Sequence, residues 1–418
     1  MESPSELHKK YKGKIEITSK VPIRNMQDLS IWYSPGVAEP CREIFKDKNK
    51  VYDYTNKGNT IAIISDGSRV LGLGNIGPEA GLPVMEGKGI LFKHFGGVDA
   101  FPIMLKNQEE DKFIETVKNI SPGFGGINLE DIESPKCFSI LEKLRNELEI
   151  PVWHDDQQGT SAVVLAGLIN SLKVVGKNKE DVQITVIGLG AANYCLVNLL
   201  IKYGFPAGNL ILVDSKGILS KNREDITPEN YKYQLLQKTN SKNRMGCIEN
   251  AFEGSDIVIA ASTPGPGIIK GEWIKKMNKY PIVFPLANPV PEILPEEAIK
   301  AGAKIVATGR SDYPNQVNNS LIFPGVFRGV LDVRANKITD EMLFVAAETL
   351  AGFRKDLSEI NIIPKMTEYE IFPLIASKVG RKAIEQGVAK DKYSEEELYQ
   401  IAKKKIDESR KRNEDLFR

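Results

Sequence analysis

From Asp156 onward the chain alternates short apolar β-type runs with helical stretches, and this constrains its fold more than any other feature. Strand patterns are predicted over 182–187, 209–213, 256–260, 282–286 and 304–307, with helical spacing between most of them. Such alternation is the signature of a parallel sheet with crossover helices. A long, mostly apolar helix over 159–175 precedes the first of these strands and is placed to join two domains.

Two glycine motifs compete for a dinucleotide role. Gly72-Leu73-Gly74-Asn75-Ile76-Gly77 matches the GxGxxG fingerprint letter for letter, but Pro78, Gly81 and Pro83 follow it. The reading is that no helix opens there, and the pyrophosphate site needs a helix N-terminus. The second motif, Gly188-Leu189-Gly190-Ala191-Ala192-Asn193, follows the strand pattern Gln183–Ile187 and opens an apolar helix to Tyr203. The next strand pattern ends in Asp214, at roughly the 20-residue offset expected for a ribose-binding acid. Asn193 stands where the third glycine would be and is expected to weaken close helix–sheet packing. Context favours this copy as the cofactor turn. Asp214 argues for NAD, whereas Lys216 and Lys221 could meet the 2′-phosphate of NADP, so the choice stays open.

The first half is less regular. A strand over 59–65, the turn Asp66-Gly67-Ser68 and an extended run over 69–73 predict a hairpin. A further strand is expected over 98–105, and helices over 112–120 and 135–148. The segment 340–418 reads as helical, with a charged end that is most simply solvated or packing. The resulting division is a substrate and metal domain over 1–158, a Rossmann-type domain over 159–340 and a helical segment over 341–418. The fold class is α/β.

Composition removes several alternatives. At 418 residues the chain is long enough for two cores, and its net charge of +1 gives no nucleic-acid footprint. Four scattered cysteines form neither a disulfide framework nor a zinc site. No secretory leader is seen, and no run approaches the roughly 20 apolar residues of a membrane span, so a cytoplasmic protein without membrane partners is expected.

Two acidic doublets stand where the chain is expected to end a strand or turn. Glu130-Asp131 follows a glycine-rich run, and Asp155-Asp156 follows 150–153. Neighbouring side chains on a strand point to opposite faces, so both members of a pair can converge only at a strand end or turn. Two or three carboxylates with a chelating substrate would suit a hard cation, Mg²⁺ or Mn²⁺. Taken singly, such doublets are more often solvated loops. Of three histidines, His8 falls in an end expected to fray, His94 reads as structural, and His154 borders the second doublet.

The flanking sequence resembles the malic enzyme family, specifically its short, prokaryote-type members. The matching blocks are Tyr33-Ser34-Pro35-Gly36-Val37-Ala38, Ser65 to Gly74, Leu82 to Lys88, Ile127 to Asp131, His154 to Thr160, Ala287-Asn288-Pro289 and Asn318 to Gly325, in family order. The resemblance implies a metal- and NAD(P)-dependent oxidative decarboxylation of malate to pyruvate. It makes Tyr33 the general acid, Lys88 the general base and Asp155 the acid that positions Lys88. It implies Glu130, Asp131 and Asp156 as metal ligands, Arg69 as a substrate contact, and Asn288 and Asn319 as substrate or nicotinamide contacts. A homodimer or larger homo-oligomer is implied as well. The long C-terminal extension of some bacterial members is not seen, so no acyl-transfer module is expected. A malolactic relative and a non-catalytic nucleotide sensor are the alternatives.

Such chemistry places a demand on Lys88. An ordinary lysine has a pKa of about 10.4 and is a poor base at neutral pH. Asp155 raises that value, so its role is orientation, and the metal is expected to lower it.

Overall fold

The computed structural model describes residues 2–106 and 109–416, and it contains two sheets. The first has four strands, β1 Thr60–Ser65, β2 Asp99–Met104, β3 Gly126–Leu129 and β4 Val152–His154, in the order β2-β1-β3-β4. All three pairings are parallel. β1 is buried along its whole length, as expected for an interior strand covered on both faces.

The expected hairpin after β1 does not form. Both edges of β1 are occupied by parallel partners, so the chain cannot fold straight back onto it. Instead Val70 and Gly74 make an isolated bridge, with a short 3₁₀ turn at Leu71–Leu73. A helix, Gly77–Gly96, then opens directly after the first glycine motif, against the sequence expectation. Pro78 lies in its first turn, where no backbone N–H is needed, so the proline starts the helix and does not block it.

The second sheet has six strands: β5 Ile184–Ile187, β6 Leu210–Asp214, β7 Gly217–Ile218, β8 Ile257–Ala260, β9 Ile282–Pro285 and β10 Ile305–Val306. Their order is β10-β9-β8-β5-β6-β7, and only β7 is antiparallel. Strand order reverses at β5, which pairs with β6 on one side and β8 on the other. That switch point is where ligands enter open α/β sheets. The chain therefore has a two-domain α/β fold with a Rossmann-like sheet.

Helix Thr160–Val175 links the sheets and is almost wholly buried. Together with the turn Asp155–Gly159 it forms a 21-residue stretch long and apolar enough to cross a membrane by length and composition, more than the sequence alone suggested. Its apolarity has another cause, because 72% of its most apolar 18-residue window is buried inside the protein. Helix Phe323–Asp332 is buried at every position. It crosses helix Ile371–Glu385 so closely that a Cβ on Gly329 would lie 2.4 Å from the Ala376 carbonyl oxygen. The charged helix Glu395–Leu416 packs back on Gly77–Gly96, with Ser409 donating to the Lys93 carbonyl at 3.0 Å.

Candidate active site and cofactor cleft

Lys88 projects from the middle of helix Gly77–Gly96 and is only 11% exposed. Its ammonium pairs with the Asp155 carboxylate, lies 3.2 Å from Glu130 Oε1 and 3.4 Å from Asn319 Oδ1, and sits 4.6 Å above the Phe323 ring centre. Burial pulls the lysine pKa down, but Asp155 and Glu130 outweigh it and hold the ammonium well above the ordinary lysine range.

The two acidic doublets are arranged by their strand ends. Glu130 follows β3 directly, and its Oε2 accepts from the Asn128 amide at 3.0 Å. Asp131 has φ +53°, a left-handed turn that bends the chain immediately after the strand. Its backbone N–H donates to Asp156 Oδ2 at 2.9 Å, which ties the two doublets together. Asp155 and Asp156 fall in a π-helical turn over Asp155–Gly159, so their side chains diverge. Asp155, fully buried, faces Lys88 and the Trp153 indole; Asp156, 34% exposed, faces Asp131. The second doublet is thus split, with only Asp156 joining Glu130 and Asp131.

Ligand oxygens of Glu130, Asp131 and Asp156 all lie within 4.8 Å of one another. A hard cation with bonds of about 2.1 Å spans such a set. Burial pushes the Glu130 carboxyl well above its usual range, against the pull of Lys88, and the neighbouring acids add to the shift. Glu130 and Asp155 share one ammonium, and Glu130 also converges with Asp131 and Asp156 on a space lined by carboxylate oxygens, so the residues fit a divalent cation. His154 is fully buried beside them, both ring nitrogens lack a hydrogen-bond partner, and its Nδ1 lies 3.6 Å from Asp156 Oδ2.

Other predicted residues are placed around this cluster. Arg69 donates its backbone N–H to the Asp131 carbonyl at 3.0 Å and exposes its side chain. Asn319 opens the turn before helix Phe323–Asp332. Asn288 lies where the two sheets' loops meet, since a Cβ on Gly72 would come within 2.4 Å of its carbonyl oxygen. The first glycine motif thus serves close backbone approach between domains. Tyr33 is not brought to Lys88 within this chain. It caps helix Met26–Trp32, is 72% exposed and makes no side-chain hydrogen bond among the described residues.

At the end of β5, Gly188 has φ +84°, and a Cβ there would meet the Ala261 carbonyl oxygen at 2.7 Å. A Cβ on Gly190 would meet nothing within 4 Å, so the N-terminus of helix Ala191–Tyr203 is open. Gly190 offers no side-chain cap, and the first N–H groups of the helix, from Ala191 and Ala192, have no partner within it. That fits a pyrophosphate. Leu189 is buried and its carbonyl accepts from the Tyr231 hydroxyl at 2.8 Å. Asn193 differs from its expectation. Its amide donates to the carbonyls of Ile187 and Gly188, both at 2.9 Å, and so holds the turn together.

Asp214 ends β6 and is paired with Arg223 and Lys232. The sequence reading missed both partners, although basic residues within 20 positions of a strand-end acid are a usable signal. It also missed Glu292, fully buried, which accepts from Ser262 N at 2.8 Å, Ser262 Oγ at 3.0 Å and Ala287 N at 3.1 Å. Burial raises its pKa. Glu292 links the loops after β8 and β9, and no local pattern marks it. The four cysteines are free, as expected.

Residues 157–384 match the family model "Malic enzyme, NAD binding domain", and residues 12–111 and 106–145 match "Malic enzyme, N-terminal domain". The chain is 48% identical to the bifunctional malic/malolactic enzyme of Bacillus subtilis, over 96% of this chain and 98% of that one. It is 44% identical to the NADP-dependent malic enzyme of Escherichia coli, over 93% of this chain and 52% of the relative. Among solved structures, the malic enzyme of Pyrococcus horikoshii is 54% identical with a TM-score of 0.90, covering 94% of this chain and 92% of its own. That of Entamoeba histolytica is 44% identical with a TM-score of 0.96, covering 99% and 87%.

Proposed function

Because this chain belongs to the malic enzyme family, and is an NAD(P)-dependent oxidoreductase of that family, we propose that it converts L-malate to pyruvate and CO₂ with the residues described above. The single observation that carries the assignment of roles is the buried Lys88 ammonium held against Asp155 and Glu130, beside an oxygen triad of cation-binding size.

Lys88 acts at the C2 hydroxyl, Glu130, Asp131 and Asp156 hold Mg²⁺ or Mn²⁺, and the Gly188–Asn193 turn holds the dinucleotide in the cleft beyond β5 and β6. When bound, the cation supplies Lewis-acid polarisation of the C2 oxygen and offsets carboxylate charge, while the nicotinamide supplies the hydride acceptor. Lys88 would accept the C2 hydroxyl proton in its neutral form, after its own proton has left to solvent. Asp155, gripped by Trp153, keeps the lysine aimed. Arg69 and Asn319 orient the substrate carboxylates, and Asn288 borders the nicotinamide. After CO₂ leaves, Tyr33 delivers its hydroxyl proton to C3.

The exposure of Tyr33 supports a homo-oligomer. Ile17, Met26, Trp32, Tyr33 and Phe45, the last 91% exposed, are exposed hydrophobic side chains of the N-terminal arm, residues 17–45. A second copy covering this arm would bring Tyr33 to a lysine that its own chain does not offer. We assign residues 1–158 to the substrate and metal domain, 159–340 to the dinucleotide domain and 341–418 to a helical segment packing on both, in a cytoplasmic protein. The likeness to the Bacillus subtilis protein also favours a malolactic side activity, which would give lactate without net reduced cofactor.

Malate turnover measured with each cofactor and Mn²⁺, with and without chelator, on wild type and Lys88→Ala, tests the reading. Pyruvate and NAD(P)H are expected, and chelation and the substitution each abolish them. Substantial turnover by Lys88→Ala removes the lysine from the chemistry.

A further inference from the structure

We propose that Arg223 and Lys232 form a subsite for the 2′-phosphate of NADP, and that Asp214, saturated by them, does not accept from an adenine ribose. This rests on reading the cleft beyond β5 and β6 as the dinucleotide site.

Asp214 receives four hydrogen bonds. Its Oδ1 accepts from Arg223 Nη1 at 3.1 Å and from the Lys216 backbone N–H at 3.0 Å. Its Oδ2 accepts from Arg223 Nη2 at 3.2 Å and from Lys232 Nζ at 2.8 Å. A carboxylate has about four lone-pair sites, so no acceptor capacity remains for a ribose hydroxyl. The ordinary reason to expect NAD from an acid at this position is therefore absent.

Donors, in contrast, are left over. Arg223 has about five N–H groups and uses two on Asp214 and two on Asp225, while Lys232 has about three and spends one on Asp214. Lys216 adds a largely exposed ammonium 3.0 Å from Asp225. Three cations, Arg223, Lys232 and Lys216, face two anions, Asp214 and Asp225, so the cluster is net positive. The Arg223 and Lys232 side chains are 14% and 19% exposed, which strengthens a charge-assisted bond to a phosphate reaching them from the cleft.

The cluster is fixed to the phosphate turn. Gly188 N–H donates to Val213 O at 2.8 Å, one residue before Asp214, and Tyr231, next to Lys232, donates its hydroxyl to Leu189 O at 2.8 Å. A dinucleotide with its pyrophosphate on helix Ala191–Tyr203 would thus set its adenine ribose beside these two cations.

Calorimetric titration of the full chain with adenosine 2′,5′-bisphosphate and with adenosine 5′-monophosphate, which differ only in the 2′-phosphate, tests this without turnover. The bisphosphate is expected to bind at least about tenfold more tightly. In Lys232→Met and in Arg223→Met its advantage should fall towards one; melting curves check that each variant is folded, and the two substitutions are independent tests. Asp214→Asn should leave monophosphate binding intact. Equal affinities in the wild type, or loss of monophosphate binding in Asp214→Asn, would overturn the proposal. Failure of both nucleotides to bind would overturn the cleft reading and the proposal with it.

Discussion

The indole N–H of Trp153 donates to Asp155 Oδ1 at 3.0 Å, and neither side chain has any exposure. One carboxylate oxygen is thereby fixed by a neutral donor, and the other is left to Lys88. The lysine's aim is therefore set from two residues before the acid, on β4.

Replacing Trp153 with Phe keeps most of the ring volume and removes the donor. Malate turnover should fall by about tenfold, with KM for malate little changed, because the loss is in lysine positioning. Steady-state kinetics checks this. An unchanged kcat would mean that the bond orients nothing.

Gly159→Ala tests the same carboxylate from the other side. A Cβ there would stand 2.0 Å from Asp155 Oδ1 and 3.1 Å from the Asn319 Cβ. Asp155 is held at both oxygens and cannot swing clear without releasing Lys88 or Trp153. A misplacement of ~1 Å costs about 10²-fold, and that loss in kcat is expected with the chain still folded by circular dichroism. Wild-type turnover in Gly159→Ala would refute the rigid grip.

Removing single ligands should separate metal affinity from folding. Mn²⁺ binding followed by calorimetry is expected to weaken by at least about 10-fold to 100-fold in Glu130→Gln and in Asp156→Asn. Chelation should stop pyruvate formation, and added Mn²⁺ should restore it. Unaltered Mn²⁺ binding in both variants would place the ion elsewhere.

Asn193→Ala removes the amide from the carbonyls of Ile187, which keeps the Ala261 N–H as a partner, and of Gly188, which loses its donor. Urea denaturation should report a loss of about 1–3 kcal/mol, as for an unsatisfied buried acceptor. NAD(P) should also bind more weakly, since the turn is less ordered. Unchanged stability would show that the staple contributes nothing.

Local sequence determined the second sheet. Strands β5, β8, β9 and β10 fall within the predicted runs, because buried parallel strands need continuous apolar segments and their connections need helices; β6 overruns its run by Asp214 and the short β7 has none. It also marked the Gly188–Asn193 turn and the three carboxylates that the structure brings together, since glycine at positive φ and carboxylates at strand ends leave local traces. Tertiary structure alone decided the rest. Pro78 reads as a helix breaker until the helix it opens is seen to start there, and the hairpin after β1 is lost because distant strands take both of its edges. The separation of Asp155 from Asp156 depends on a π turn, and the saturation of Asp214 depends on side chains 9 and 18 residues away. Pattern fixes which residues must be buried or turned, whereas partners brought together from afar obey geometry that no local window contains.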